Sequence, residues 1–143
     1  MSEWTYINGF MNVMFFAGET QTERNKKFKD FVESLPKVTS SEDDMYIMYS
    51  PNKAKSYAAN YDTEGNRKIL YDYFLVAFSG SLRDRTEKET IEEFKSFVHH
   101  IANHHDAAIE EMSVIINDTA YTWPDYDDDH LDFNEGLLNE KGD

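Results

Sequence analysis

Ile69-Leu70-Tyr71-Asp72-Tyr73-Phe74-Leu75-Val76-Ala77-Phe78-Ser79-Gly80-Ser81-Leu82 is the run that decides the fold. Leu70, Phe74, Val76 and Phe78 alternate with Tyr71, Tyr73, Leu75 and Ala77, so the run has the period of two of a β-strand and is apolar on both sides. A strand of that kind belongs in the middle of a sheet, because a strand with one solvated side alternates apolar with polar residues. Directly after it, Thr86-Glu87-Lys88-Glu89 has the spacing of a capping box, and Ile91, Phe94, Val98 and Ile101 follow at helical intervals. The run is therefore a central strand that feeds an amphipathic helix.

Upstream, residues 4–16 are rich in aromatics, Met, Ile and Val without a helical stripe and read as a first strand. Gly9 inside it marks a bulge or a close backbone contact. Thr20-Gln21-Thr22-Glu23 is a second capping-box spacing, with Phe28, Phe31, Val32 and Leu35 on one helical face before Pro36. Residues 45–49 form a short strand ended by Ser50-Pro51, and the polar stretch 51–66 turns at Asp62-Thr63-Glu64-Gly65-Asn66. Downstream, residues 108–116 place Met112, Val114 and Ile116 on one face and Glu111 and Ser113 on the other, and Tyr121 to Trp123 extends this strand or folds back on it.

The order strand, helix, strand, strand, helix, strand predicts a ferredoxin-like α+β domain. It has a four-stranded antiparallel sheet in the order 4-1-3-2, with both helices on one face. The first and third strands are then central, and they are the two that are apolar on both sides. The helix-free face carries Trp4, Tyr6, Tyr71 and Tyr73, an unusually apolar display that predicts a homodimer or partner surface. The competing expectation is that residues 51–66 or the C-terminal tail cover it.

The chain has 143 residues, which suits one domain of about residues 1–124. Lys and Arg number 14 against 28 Asp and Glu, a net charge of -14, which opposes direct contact with nucleic-acid phosphates or anionic membranes. The absence of Cys excludes disulfides and thiolate chemistry and suits a reducing cytoplasm. There is no signal-peptide pattern at Met1-Ser2-Glu3-Trp4 and no long apolar run, so a soluble, uncleaved, cytoplasmic protein is expected. Half the net charge lies in residues 125–143, a tail that mixes acidic with large apolar residues and whose order depends on a partner.

Few residues invite chemistry. In His99-His100-Ile101-Ala102-Asn103-His104-His105-Asp106, His100 and His104 are four apart on one helix edge and are the weak candidates for a metal. A third ligand would come from Asp106 or the tail. Imidazoles in a last helical turn also simply complement the helix dipole, and His105 continues the apolar stripe as a capping or half-buried residue. Asp125, Asp127 and Asp129 have the opening spacing of a calcium loop, but His130 and Gly136 stand where that loop needs Gly and Glu. Ser79-Gly80-Ser81 is not a nucleophile elbow, and no glycine-rich phosphate loop is present. Stacked bases on Tyr71 or Tyr73 would need cationic company, and Arg83-Asp84-Arg85 is the one local cluster near the sheet. No catalytic residue and no cofactor is expected. What remains is acidity on a small scaffold: spaced carboxylates can occupy the basic groove of a nucleic-acid-binding protein, or they can serve only solubility.

Trp4-Thr5-Tyr6-Ile7-Asn8-Gly9-Phe10-Met11 and Gly80-Ser81-Leu82-Arg83-Asp84-Arg85 resemble motifs of small uncharacterised bacteriophage proteins, W-T-x-x-x-G and G-x-L-R-D, within residues 1–124. The group is similar to acidic, ferredoxin-like inhibitors of host defence, some of which block CRISPR effectors or restriction enzymes by mimicking nucleic acid. The resemblance implies a non-enzymatic inhibitor, acting in the host cytoplasm on a nucleic-acid-binding defence protein, and carries over no catalytic residue. The residues expected to bind the partner are the tail's Asp125, Asp127, Asp128, Asp129, Asp132 and Glu135, with Tyr126, Leu131 and Phe133 as apolar anchors. The alternatives are a ligand- or metal-binding regulatory dimer with a cleft near Arg83, Arg85, His100 and His104, and a phage assembly protein that oligomerises through its aromatic sheet face.

Overall fold

A computed structural model describes residues 2–52, 59–61, 67–69, 71–123 and 131–132. The described chain is α+β, with two helices and a five-stranded antiparallel sheet. The strands are β1 (Trp4–Phe15), β2 (Tyr46–Pro51), β5 (Asp72–Arg83), β6 (Ala107–Ile116) and β7 (Thr119–Trp123). The helices are α1 (Gln21–Glu33) and α2 (Glu87–Ala102). A separate two-stranded ribbon joins β3 (Ala59–Tyr61) to β4 (Arg67–Ile69), and β8 (Leu131–Asp132) pairs in parallel with β7 at the sheet's outer edge. The sheet order is β2-β5-β1-β6-β7-β8, so β1 and β5 are central, as their two-sided apolar character demands.

The sheet is wider than the four strands expected from the sequence. Asn117 and Asp118 turn the chain back on β6, and Asn117 takes up the left-handed conformation at φ 52°. Its backbone N–H donates to Tyr6 O at 2.8 Å, while its side-chain Oδ1 accepts from Tyr6 N at 3.0 Å. A short polar side chain tolerates this backbone and stands in for a strand partner. Residues 121–123 therefore belong to a fifth antiparallel strand.

Helix starts are set by the caps. Thr86 accepts from Glu89 N at 3.0 Å and Glu89 returns the bond to Thr86 N at 2.9 Å, a complete capping box. Thr20 caps α1 by accepting from Glu23 N, but the Glu23 carboxylate takes the Glu19 N–H instead of the cap residue's own. Phe74 and Phe78 lie four apart on β5 and so share a face. Phe28 of α1 stacks on Phe74 with ring centroids 3.9 Å apart, and Phe94 of α2 packs on Phe78 at 5.3 Å, so both helices cover that one face. Ile7, Met11, Val114, Ile116 and Phe97 fill the space between and are buried.

Two further features define this core, and only the second was legible beforehand. Arg24 of α1 and Asp72 at the start of β5 form a fully buried ion pair, Nε to Oδ2 at 2.6 Å, and Arg24 Nη1 also donates to Gly18 O. At Gly9 the register of β1 runs through without interruption, and a Cβ there would lie 2.3 Å from Ser113 O and 2.8 Å from Val114 Cα. The glycine thus serves close approach of backbone. The bulge lies further along, between Asn12 and Val13, where β6 inserts Glu110.

Candidate functional site

The side chains that alternate with the core on the central strands point away from the helices. On β1 these are Trp4, Tyr6, Asn8, Phe10, Asn12 and Met14. The β1/β5 register sets Trp4 beside Arg83, Phe10 beside Ala77 and Asn12 beside Leu75, while β2 adds Tyr46 and Met48 and β6 adds Ile115. Eight large apolar side chains are exposed among the described residues, and seven of them stand on this open face: Trp4, Tyr6, Phe10, Tyr46, Met48, Leu75 and Ile115. Tyr46, Met48 and Tyr6 are 66, 57 and 51% exposed. Between them lie uncharged groups such as Asn8 and Ser79, whose side chains bond to each other at 2.8 Å. A hollow of about 60 Å³ opens on the face between Tyr46, Met48, Ala77 and Ser79.

Trp4 and Tyr6 are exposed as their place in the sequence suggested, with near-parallel rings 6.5 Å apart. Tyr71 and Tyr73 are half-buried instead, because they pack on each other at 5.6 Å and Tyr71 packs on Phe16 at 5.3 Å. Burial pushes the Tyr73 hydroxyl well above the ordinary tyrosine range, and hydrogen bonds to Glu110 and Tyr71 add to the effect. The phenol is therefore a neutral donor at any physiological pH. Phe10, Tyr46, Met48, Leu75 and Ile115 were missed as surface residues. On a strand apolar on both sides, the pattern does not tell a covered side from an open one.

Among the described residues, charge lies at the margins of the exposed cluster. At one end Arg83 donates to Glu42 and Ser2 and its guanidinium lies 6.0 Å from the Trp4 ring. The Glu42 carboxylate, through its hydrogen bond and then its charge, raises the Arg83 pKa further. At the other end Asn52 Nδ2 donates to Asn12 Oδ1 at 2.8 Å and Asn12 Nδ2 donates to Glu111 at 2.6 Å, a ladder of amides that ends on a carboxylate.

The histidines form a second cluster, around a shallow surface hollow of about 560 Å³ lined by Ser96, His99, His100, Asn103, His104 and His105. Helix α2 ends at Ala102 with Asn103 as its cap, so His104 lies beyond the helix and the apolar stripe stops before His105. His105 is accordingly 84% exposed, neither capping nor half-buried as its phase suggested. His104 is the partly covered one, edge-on to Phe31 at 4.6 Å, with His100 at 6.5 Å. Among the described residues, His104, His105 and Asp106 form a group of possible metal ligands with ligand atoms within 4.8 Å of one another, and it leaves His100 out. His104 Nδ1 accepts the Asp106 backbone N–H at 3.1 Å, which puts the proton of the neutral ring on Nε2. To ligate an ion through either nitrogen this ring has to give up that arrangement. Arg85 precedes the first turn of α2 and His100 stands in its last, about 20 Å of helix apart, so one chain does not bring Arg83 and Arg85 to His100 and His104.

Of the tail residues expected to bind a partner, Asp125, Tyr126, Asp127, Asp128, Asp129, Phe133 and Glu135 lie outside the described residues, as do Leu70 and the turn at 62–66. Leu131 and Asp132 form β8, opposite Tyr121 and Thr122 of β7. Among the described residues no helix is long and apolar enough to cross a membrane. Comparison with protein-family models, with curated proteins and with solved structures finds no match.

Proposed function

We propose that the chain is a non-enzymatic binding protein that works through its open sheet face and its acidic C-terminal segment. The observation that carries the reading is the gathering of seven exposed large apolar side chains on one helix-free face. Apolar patches of this kind mark contact surfaces. The core is a ferredoxin-like βαββαβ unit elaborated by β7: the order β6-β1-β5-β2 with helices after β1 and β5 supports that assignment. The particular role is inhibition of a host nucleic-acid-binding defence protein by a phage-encoded chain, in the cytoplasm of the host. Its support is the net charge of -14 together with the resemblance of Trp4-Thr5-Tyr6-Ile7-Asn8-Gly9 and Gly80-Ser81-Leu82-Arg83-Asp84 to phage motifs.

The test is capture from a bacterial lysate by the tagged full chain, by a chain ending at Pro124, and by a full chain with Asp125, Asp127, Asp128 and Asp129 changed to Asn. Retention of a DNA- or RNA-binding protein that is lost at high salt and lost with both variants is the expected result. Capture that is indifferent to salt and to both variants would sink the charge-mimic mechanism.

A further inference from the structure

We infer that the occupant of the open sheet face is a second copy of this chain, in a two-fold, face-to-face dimer. The inference rests on the reading of that face as a contact surface and names its partner.

Two observations select a second copy. The first is charge. The chain carries 28 acidic residues, yet among the described residues the centre of the face, from Tyr6 and Phe10 across to Met48 and Ile115, bears no charged side chain. A basic partner finds nothing there to pair with. A second copy meets little like-charge repulsion across the contact, because Arg83 stands at the end of β5, and Glu111, midway along β6 and level with Asn12 and Leu75, lies at the edge of the exposed cluster. The second is area. Aromatic side chains offer roughly 200 Å² each when exposed, and the seven residues are 37 to 66% exposed. Together they provide on the order of 700 Å² of apolar surface, close to the roughly 800 Å² that each partner contributes to a stable interface. Two such sheets pack face to face with side chains interleaved, and a two-fold axis lets the same apolar patch serve both copies.

Dimerisation of so anionic a chain has a signature of its own. Self-repulsion between two highly charged bodies weakens association at low ionic strength, so salt strengthens this dimer. Binding of a basic target by carboxylates has the opposite salt dependence.

Sedimentation equilibrium of the full chain over a concentration series, at low and at high salt, is the test. A mass of two chains is expected, with a dissociation constant that falls as salt rises. Phe10→Asp and, separately, Tyr46→Asp are expected to weaken the dimer at least about tenfold. Both side chains are exposed, so circular dichroism and the melting temperature of dilute samples stay close to those of the parent chain. His105→Ala, away from the face, leaves the constant unchanged. A monomer at every concentration and salt overturns the second copy as occupant, and so does a dimer that both face variants leave intact. If the chain is monomeric but Phe10→Asp abolishes capture of a lysate protein, the contact-surface reading stands and only its occupant is wrong. If the chain is monomeric and Phe10→Asp changes nothing, both fail.

Discussion

The two faces of the sheet are built from the same strands and similar residues, yet they have opposite fates. Toward the helices, Ile7, Met11, Phe74 and Val114 are buried under Phe28, Phe94 and Phe97. Away from them, Tyr6, Phe10, Leu75 and Ile115 present comparable apolar bulk to solvent. Hydrophobicity alone therefore does not distinguish what holds this molecule together from what it offers to others; the covering layer does. Stability belongs to the first face and recognition to the second, and substitutions that separate the two properties test the division.

The largest effect is expected at the ion pair beneath α1. Asp72→Ala takes the Asp72 carboxylate away from the buried Arg24 guanidinium, which costs about 3–5 kcal/mol in urea unfolding. Asp72 Oδ1 has no hydrogen-bond partner among the described residues, so this pair is incompletely satisfied. The double change Arg24→Met with Asp72→Leu is accordingly expected to restore most of the loss. Next comes the direct contrast between faces: Ile7→Ala should destabilise by about 2–5 kcal/mol, whereas Phe10→Ala, measured where the chain is dilute, should stay within about 0.5 kcal/mol. Equal losses at the two positions would erase the distinction.

Smaller effects sharpen the local picture. Thr86→Ala removes the α2 cap and should lower stability by about 1 kcal/mol in the same unfolding assay. The smallest concerns acid. The Thr86 backbone N–H, and then its hydroxyl, hold the Glu89 carboxyl below the ordinary glutamate range. A carboxyl depressed on folding stabilises fully above its unfolded value and stops doing so as pH falls through the folded one. Melting temperatures of the parent chain and of Glu89→Gln are therefore expected to differ at neutral pH and to converge only as the pH falls below the ordinary glutamate range.

Both helices were legible, because capping residues and apolar stripes are local and Phe28, Phe31, Phe94 and Ile101 repeat at the helical period. The centrality of β1 and β5 was legible too, since only a sheet interior explains strands apolar on both sides. Where α2 stops was not: His104 and His105 keep the helical phase in sequence, but the helix is capped at Asn103 and both residues lie beyond it. The fifth strand hinged on Asn117 bonding back to Tyr6, a contact across the sheet that no local pattern announces. Open and covered residues of β1 could not be assigned individually, because the same aromatic alternation serves both sides. Gly9 was legible as a special position, and the geometry chose close approach over a bulge.

The central place of β1 also has a consequence in time. Its two neighbours, β5 and β6, begin at Asp72 and Ala107, so β1 leaves the ribosome well before either of its edges can be paired. Such distant pairing slows folding and leaves an apolar segment exposed during synthesis. Among the described strands, the one on which the finished sheet is centred therefore waits longest for its partners, whereas each helix can form its own hydrogen bonds as soon as its residues are made.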